Sequence, residues 1–165
     1  IFKWIDENFP WASAREYSTI DKIPEYVLAN NHGDCGQVTL LFLTLCRSVG
    51  IPAHFQSGFM LHPGDENLHD WGEIYIQNLG WVPVDMSFGI PAYAQNEKET
   101  FFFLGGIDSF RMVVNNDFGC PLYPAKQYPR SETVDFQRGE VEWQGGNLYF
   151  DKWKWNIEVL ERTDL

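Results

Sequence analysis

A chain of 165 residues with 44% hydrophobic and 16% aromatic content can bury one core and is too short to divide comfortably into two, so residues 1–165 are read as a single domain. The formal net charge of -11 gives no footing on phosphate backbones or anionic lipid, where binding depends on clustered Lys and Arg, and this excludes nucleic acid as a partner. No apolar run reaches the roughly 20 residues that cross a bilayer, and the longest, VTLLFLTLCRSVGI, is broken by Arg47 and Gly50, so membrane insertion is excluded as well.

Phe2, Ile5 and Phe9 lie on one side of a short amphipathic helix that stops at Pro10. The mixed stretch after it holds a second helix around IPEYVLAN. From Cys35 to Val49, the positions Val38, Leu41, Phe42, Leu45, Cys46 and Val49 recur at helical spacing, and Leu40 and Leu43 fill the other side. A helix apolar nearly all round is a central one. Asp34 as N-cap with Gln37 three residues on forms a capping-box pattern, and Gly50 with Pro52 ends the helix, which places Cys35 at its first position.

IPAHFQSGFML is followed by HPGDEN, read as a solvated polar loop, and then by LHDWGEIYI, whose alternation marks a strand. The turn QNLG leads to a second strand in WVPVDMSFG, and a short link between neighbouring strands makes an antiparallel hairpin. The remainder, residues 90–165, is an aromatic-rich extension expected to contribute several short strands. Helices first and antiparallel strands after give an α+β fold.

Cys35, Cys46 and Cys120 are odd in number and lack CxxC spacing, which opposes a disulfide framework and a cysteine zinc site. A Cys46–Cys120 disulfide stays open in an oxidising compartment. A thiol of pKa about 8.5 needs help to act as a nucleophile, and a helix N-terminus and a nearby imidazolium both favour its anion. His69, at the start of one strand, is the candidate base, and Asp85, at the end of the next, is the candidate that orients it. Side chains alternate along a strand, so His69 and Asp85 share a face only in a register such as Trp71 opposite Asp85, which demands an odd-length loop or a bulge near Gly80.

GDCGQVTLLFLTLCRSVGIPAH, HDWGEIYI and GWVPVDMSFG together resemble the transglutaminase-like core, a branch of the papain-like thiol enzymes, over residues 33–89. The resemblance implies a central Cys-bearing helix packed on an antiparallel sheet, a catalytic triad of Cys35, His69 and Asp85, and a thioester acyl-enzyme. Water or an amine can resolve that intermediate, so protease or amidase hydrolysis is expected ahead of deamidase or transglutaminase chemistry. The substrate is expected to be a protein or peptide, and nothing calls for calcium or another cofactor. The Cys35 backbone N–H is the natural first oxyanion donor, and Trp11 is the candidate for the second.

Other residues carry plainer readings. His32 is a rival base directed away from the hairpin, and Cys46 is a core residue. Cys120 lies on a loop without a role, and His62, Asp65, Glu66 and His69 match no metal-ligand spacing. Trp71 packs beside His69 and walls the cleft, while Asp70 and Glu73 are simple polar strand residues. Trp143, Tyr149, Phe150, Trp153 and Trp155 are assigned to core and sheet packing. Were they exposed, they would suit the competing function, a catalytically inactive domain that binds a glycan or protein partner. The start at Ile1 with no basic-then-apolar leader leads to the expectation of a fragment or processed chain. Its compartment is unassigned, with an extracytoplasmic site and further domains of a longer chain left open.

Overall fold

The computed structural model describes residues 1–13, 15–161 and 163. Three helices come first: α1 (Phe2–Asn8), α2 (Ile23–Asn30) and α3 (Cys35–Ser48), with a 3-10 turn at Tyr17–Thr19 between the first two. A four-stranded antiparallel sheet follows, in the order β3-β2-β1-β4, built from β1 (Ala53–His62), β2 (Asp65–Ile76), β3 (Gly80–Val84) and β4 (Arg111–Asn116). A short helix, α4 (Glu97–Thr100), lies between β3 and β4, and a separate ribbon, β5 (Val141–Trp143) with β6 (Gly146–Leu148), closes the chain. No helix among the described residues is long and apolar enough to cross a membrane.

The sequence pattern explains α3 directly. Its residues from Gly36 to Leu43, and Cys46, are buried, so the helix runs through the core as its all-round apolar surface requires. Asp34 caps it by accepting from the Gln37 N–H at 3.3 Å, but the Gln37 side chain donates to the Arg15 carbonyl at 2.8 Å instead of closing the capping box. Gly50, at φ +83, makes the left-handed exit for which glycine is suited.

The helix packs on the sheet face made by Ala53, Phe55, Gly72, Ile74 and Val84. A methyl group on Gly72 would sit 2.8 Å from the Leu43 side chain, so a glycine is what lets helix and sheet close up there.

Two strand readings change. AHFQSGFMLH, left unassigned from sequence, is the interior strand β1, paired along its length with β2 and over Gln56–Met60 with β4. HPGDEN is strand for most of its length, because the reversal is confined to Pro63 and Gly64 between the paired His62 and Asp65. Polar residues on an exposed hairpin end look like a loop when only composition is read.

The β2–β3 register follows the parity argument. Gly72 pairs with Val84 and Ile76 with Gly80, leaving the odd-length connection Gln77, Asn78 and Leu79 and bringing Asp85 level with Trp71. All three cysteines are free thiols, so no Cys46–Cys120 bridge is present. The C-terminal aromatics depart most from expectation: Trp143, at the end of β5, is 60% exposed, and Tyr149, Phe150 and Trp155 also lie on the surface, in a stretch, residues 149–161, that contains no strand to fold them inward.

Candidate active site

The hairpin brings His69 and Asp85 together. His69 Nε2 lies 2.7 Å from Asp85 Oδ2, and Asp85 is completely buried. The same carboxylate accepts from Arg111 Nη1 at 2.9 Å and, through Oδ1, from the Ser87 and Phe88 N–H groups at 3.0 and 3.2 Å. Burial alone would raise its pKa, but the His69 and Arg111 contacts outweigh that and hold it below the usual carboxylate value. Arg111 continues to Asp108, which pairs with His62 at 3.1 Å, so two histidines and two aspartates are threaded on one guanidinium. Trp71 stacks near His69 at 6.0 Å, as expected, but it is fully buried and donates its indole N–H to Gln56 at 2.7 Å; it forms no wall of an open cleft.

Cys35 has different company. It occupies the first position of α3, half-buried, and its Sγ–H donates to Asp70 Oδ2 at 3.5 Å. Asp70 and His69 are consecutive on β2 and therefore leave it on opposite sides. Asp70 turns to α3, where a methyl on Gly36 would lie 2.5 Å from its carboxylate, whereas His69 turns to Asp85, Trp71 and Phe88. No hydrogen bond joins Cys35 to His69 among the described residues.

Tyr17 is the hub on the Cys35 side. Its hydroxyl accepts from the Gly36 N–H at 2.9 Å, donates to Asp34, and stands 3.3 Å from Asp70 Oδ2 and 4.0 Å from the sulfur. Trp11, the expected second oxyanion donor, pairs its backbone with Gly33 and leaves its ring 60% exposed. The first-turn N–H groups of Gly36 and Gln37 are engaged by Tyr17 and Asp34, and the Cys35 N–H has no partner among the described residues. His32 faces the Asn30 carbonyl at 3.0 Å, and Cys46 is in the core.

The electrostatics reverse the expectation of an acidic thiol. Burial pushes the Cys35 pKa well up, and the carboxylates of Asp70, Asp34 and Asp135 push it further, while a hydrogen bond from the Asp70 backbone lowers it. The carboxyls respond to one another in the same way. Asp34 is raised to about 6 by burial and by Glu16, against the pull of Tyr17 and Gln37. Asp135 is raised to about 7 by burial, with Glu132, Asp34 and Glu16 raising it and Arg138 opposing. Asp70 is raised well above the carboxylate range, again chiefly by burial.

Sequence reading missed Tyr17, Asp70, Arg111 and Gln137. Tyr17 and Arg111 sit in stretches without a motif, and a buried Asp on a strand looks like any polar position until its neighbours are known.

A family profile described as the transglutaminase-like superfamily matches residues 1–86, which include Cys35, His69 and Asp85. A solved structure of a candidate cysteine protease from Cytophaga hutchinsonii is similar at 27% identity and a TM-score of 0.44, covering 55% of this chain and 30% of that one. The chain therefore spans less than a third of that protein's length. No curated protein matches it.

Proposed function

The chain belongs to the transglutaminase-like superfamily, and from that membership we propose that it catalyses thiol-dependent acyl transfer on peptide or side-chain amides, with hydrolysis as its main outcome. The observation that supports the reading is the buried His69–Asp85 pair at 2.7 Å, because an imidazole held at Nε2 by a carboxylate presents Nδ1 as a base of fixed tautomer.

In this mechanism the Cys35 sulfur leaves Asp70 and gives its proton to His69 Nδ1. The thiolate attacks the amide carbon, and the carbonyl oxygen becomes an oxyanion that accepts from the Cys35 N–H. As the C–N bond breaks, His69 returns the proton to the leaving amine, and a thioester remains. Water, deprotonated by His69, then releases a carboxylic acid, whereas a primary amine attacking the same thioester would give a new amide. Asp85 keeps its charge throughout and stabilises the imidazolium.

The test is incubation with glutamine-containing peptides and peptide amides, reading ammonia or amine release together with mass spectrometry of the acid-quenched protein. A thioester adduct on Cys35, absent in Cys35→Ala and greatly slowed in His69→Ala, supports the reading. Undiminished release by Cys35→Ala overturns it. The exposed Trp143, Tyr149, Phe150 and Trp155 favour a second reading, a binding domain for a glycan or protein. That reading predicts no adduct and ligand binding that Cys35→Ala leaves unchanged.

A further inference from the structure

The contacts between residues 131–139 and the Cys35 site have no place in the mechanism above. This segment lacks helix and strand, yet Ser131, Glu132, Phe136 and Gln137 within it are buried. Irregular backbone is normally found on the surface, so burial needs specific anchors. Glu132 Oε1 accepts from the N–H groups of Thr133 and Val134, both at 2.8 Å, and Arg130 stacks over Phe136 at 4.9 Å. These contacts give the segment a shape of its own.

Two further contacts fasten it to the site. Gln137 Nε2 donates to Asp70 Oδ1 at 3.1 Å, and Arg138 forms an ion pair with Glu16, next to Tyr17. Asp70 thus has one carboxylate oxygen on the segment and the other on the thiol. Gln137 Oε1 is buried and has no partner among the described residues, so this side chain gives up one hydrogen bond to make that contact.

We propose that residues 131–139 form an autoinhibitory strap whose Gln137–Asp70 contact holds the Cys35 thiol in its protonated position against Asp70, away from His69. The inference rests on Cys35 being the reactive thiol of the proposed function and names how that thiol is regulated. With the strap in place, Asp70 is held in its present orientation and the sulfur keeps it as a hydrogen-bond acceptor. Release of the strap leaves Asp70 held by the Tyr17 hydroxyl alone, which lets the side chain turn and the thiol reach the imidazole.

The strap also carries the means of its own release. Asp135 lies among Glu132 and Arg138 of the strap, Glu16 before the 3-10 turn, Asp34 at the start of α3 and Asp70 on β2, with the Tyr17 hydroxyl and the Cys35 thiol beside them. Arg138 is the cation among these groups. As pH rises through about 6 to 7, Asp34 and Asp135 both ionise and repel across the contact, so the strap loosens toward neutral and alkaline pH.

The experiment is the alkylation of Cys35 by iodoacetamide across pH 5–9 in the full chain, read by mass spectrometry, with Cys46 as the internal measure of folding. In Gln137→Ala/Arg138→Ala, Cys35 is expected to label about tenfold faster at pH 7 and to show its inflection at lower pH, while Cys46 stays slow. An unchanged rate and inflection with Cys46 slow overturns the strap. Should Cys46 label quickly, the variant has unfolded, and amide exchange of the unaltered protein decides the matter. Protection at Thr133, Val134 and Asp135, corrected for intrinsic rates, should fall between pH 5 and 8, and constant protection overturns the proposal. Adding His69→Ala separates the two ideas: a strap effect that persists without any influence of His69 would leave the regulation standing and remove the proposed base.

Discussion

Asp85→Asn tests the centre of the hairpin without any knowledge of substrate. The carboxylate is completely buried and neutralises the Arg111 guanidinium, whose side chain is only 3% exposed. Asparagine keeps the shape but leaves that cation with Asp108 alone, and removal of one member of a buried pair costs about 3–5 kcal/mol. For a chain of this size that lowers Tm by about 6–20 °C, at about 2–4 °C per kcal/mol. Urea and thermal unfolding of Asp85→Asn, Arg111→Met and the double variant form the assay. The double variant should recover part of the loss, because the stranded charge is gone, giving a coupling of about 1–3 kcal/mol. Costs that add to within about 0.5 kcal/mol would refute the claim that this pair is the electrostatic anchor between β3 and β4. Turnover, where measured, should fall by about 10^4-fold in Asp85→Asn, since His69 loses the partner that fixes its tautomer.

Asp70→Asn removes the carboxylate nearest the sulfur, so the Cys35 labelling inflection should move to lower pH; an unmoved inflection would assign the raised thiol pKa to burial alone. Gly36→Ala would place a methyl 2.5 Å from Asp70 Oδ2 and 2.6 Å from the Tyr17 hydroxyl, and should destabilise by about 1–3 kcal/mol while speeding Cys35 labelling. Gly58→Ala would put a methyl 1.9 Å from the Met112 carbonyl, so β4 must shift off β1; loss of amide-exchange protection should be concentrated in residues 111–116. The pH profile of stability should fall on both sides. Asp85 and Asp108 have lowered pKa values, so their contribution is present above about 4 and is lost as pH falls, through about 2 for Asp108. Asp34 and Asp135 have raised values, so theirs is present below about 4 and lost as pH rises through about 6 to 7. Asp135→Asn should flatten the upper limb of a Tm-versus-pH curve, and an unchanged upper limb would exclude this carboxyl as its cause.

Much of the fold was legible because the elements that carry it have strong local signals. The helix beginning at Cys35 announces itself by apolar spacing, an Asp cap and a glycine exit, and IPEYVLAN is a helix over Ile23–Asn30 as read. The β2–β3 register was legible for a different reason: alternation fixes parity, and parity admits few turns. What failed to show was burial that arises from other parts of the chain. β1 is central because β4 pairs with its far edge from more than fifty residues away, and no local pattern in AHFQSGFMLH says so. The aromatic tail reads as core by composition, but it has too little regular structure to turn those rings inward.

The site divides along the same line. His69 and Asp85 meet because they belong to one hairpin, whose geometry the sequence dictates. Cys35 is surrounded by its neighbour Asp34 and by Tyr17, Asp70, Asp135 and Gln137, which come from three other stretches of the chain that only tertiary structure brings together. The charge balance there decides between two states of one thiol. A helix N-terminus favours the anion by about 0.3–1 kcal/mol at an exposed end and up to about 2 when partly buried, whereas burial beside carboxylates opposes it. A motif places the thiol at the helix start, but its protonation is set by whatever the rest of the chain packs around it, and here that includes a segment a hundred residues downstream. Under the proposed function, Cys35 reacts only in a state where Asp70 has been drawn away from it, and the proposed strap, together with Tyr17, sets how often that state is reached.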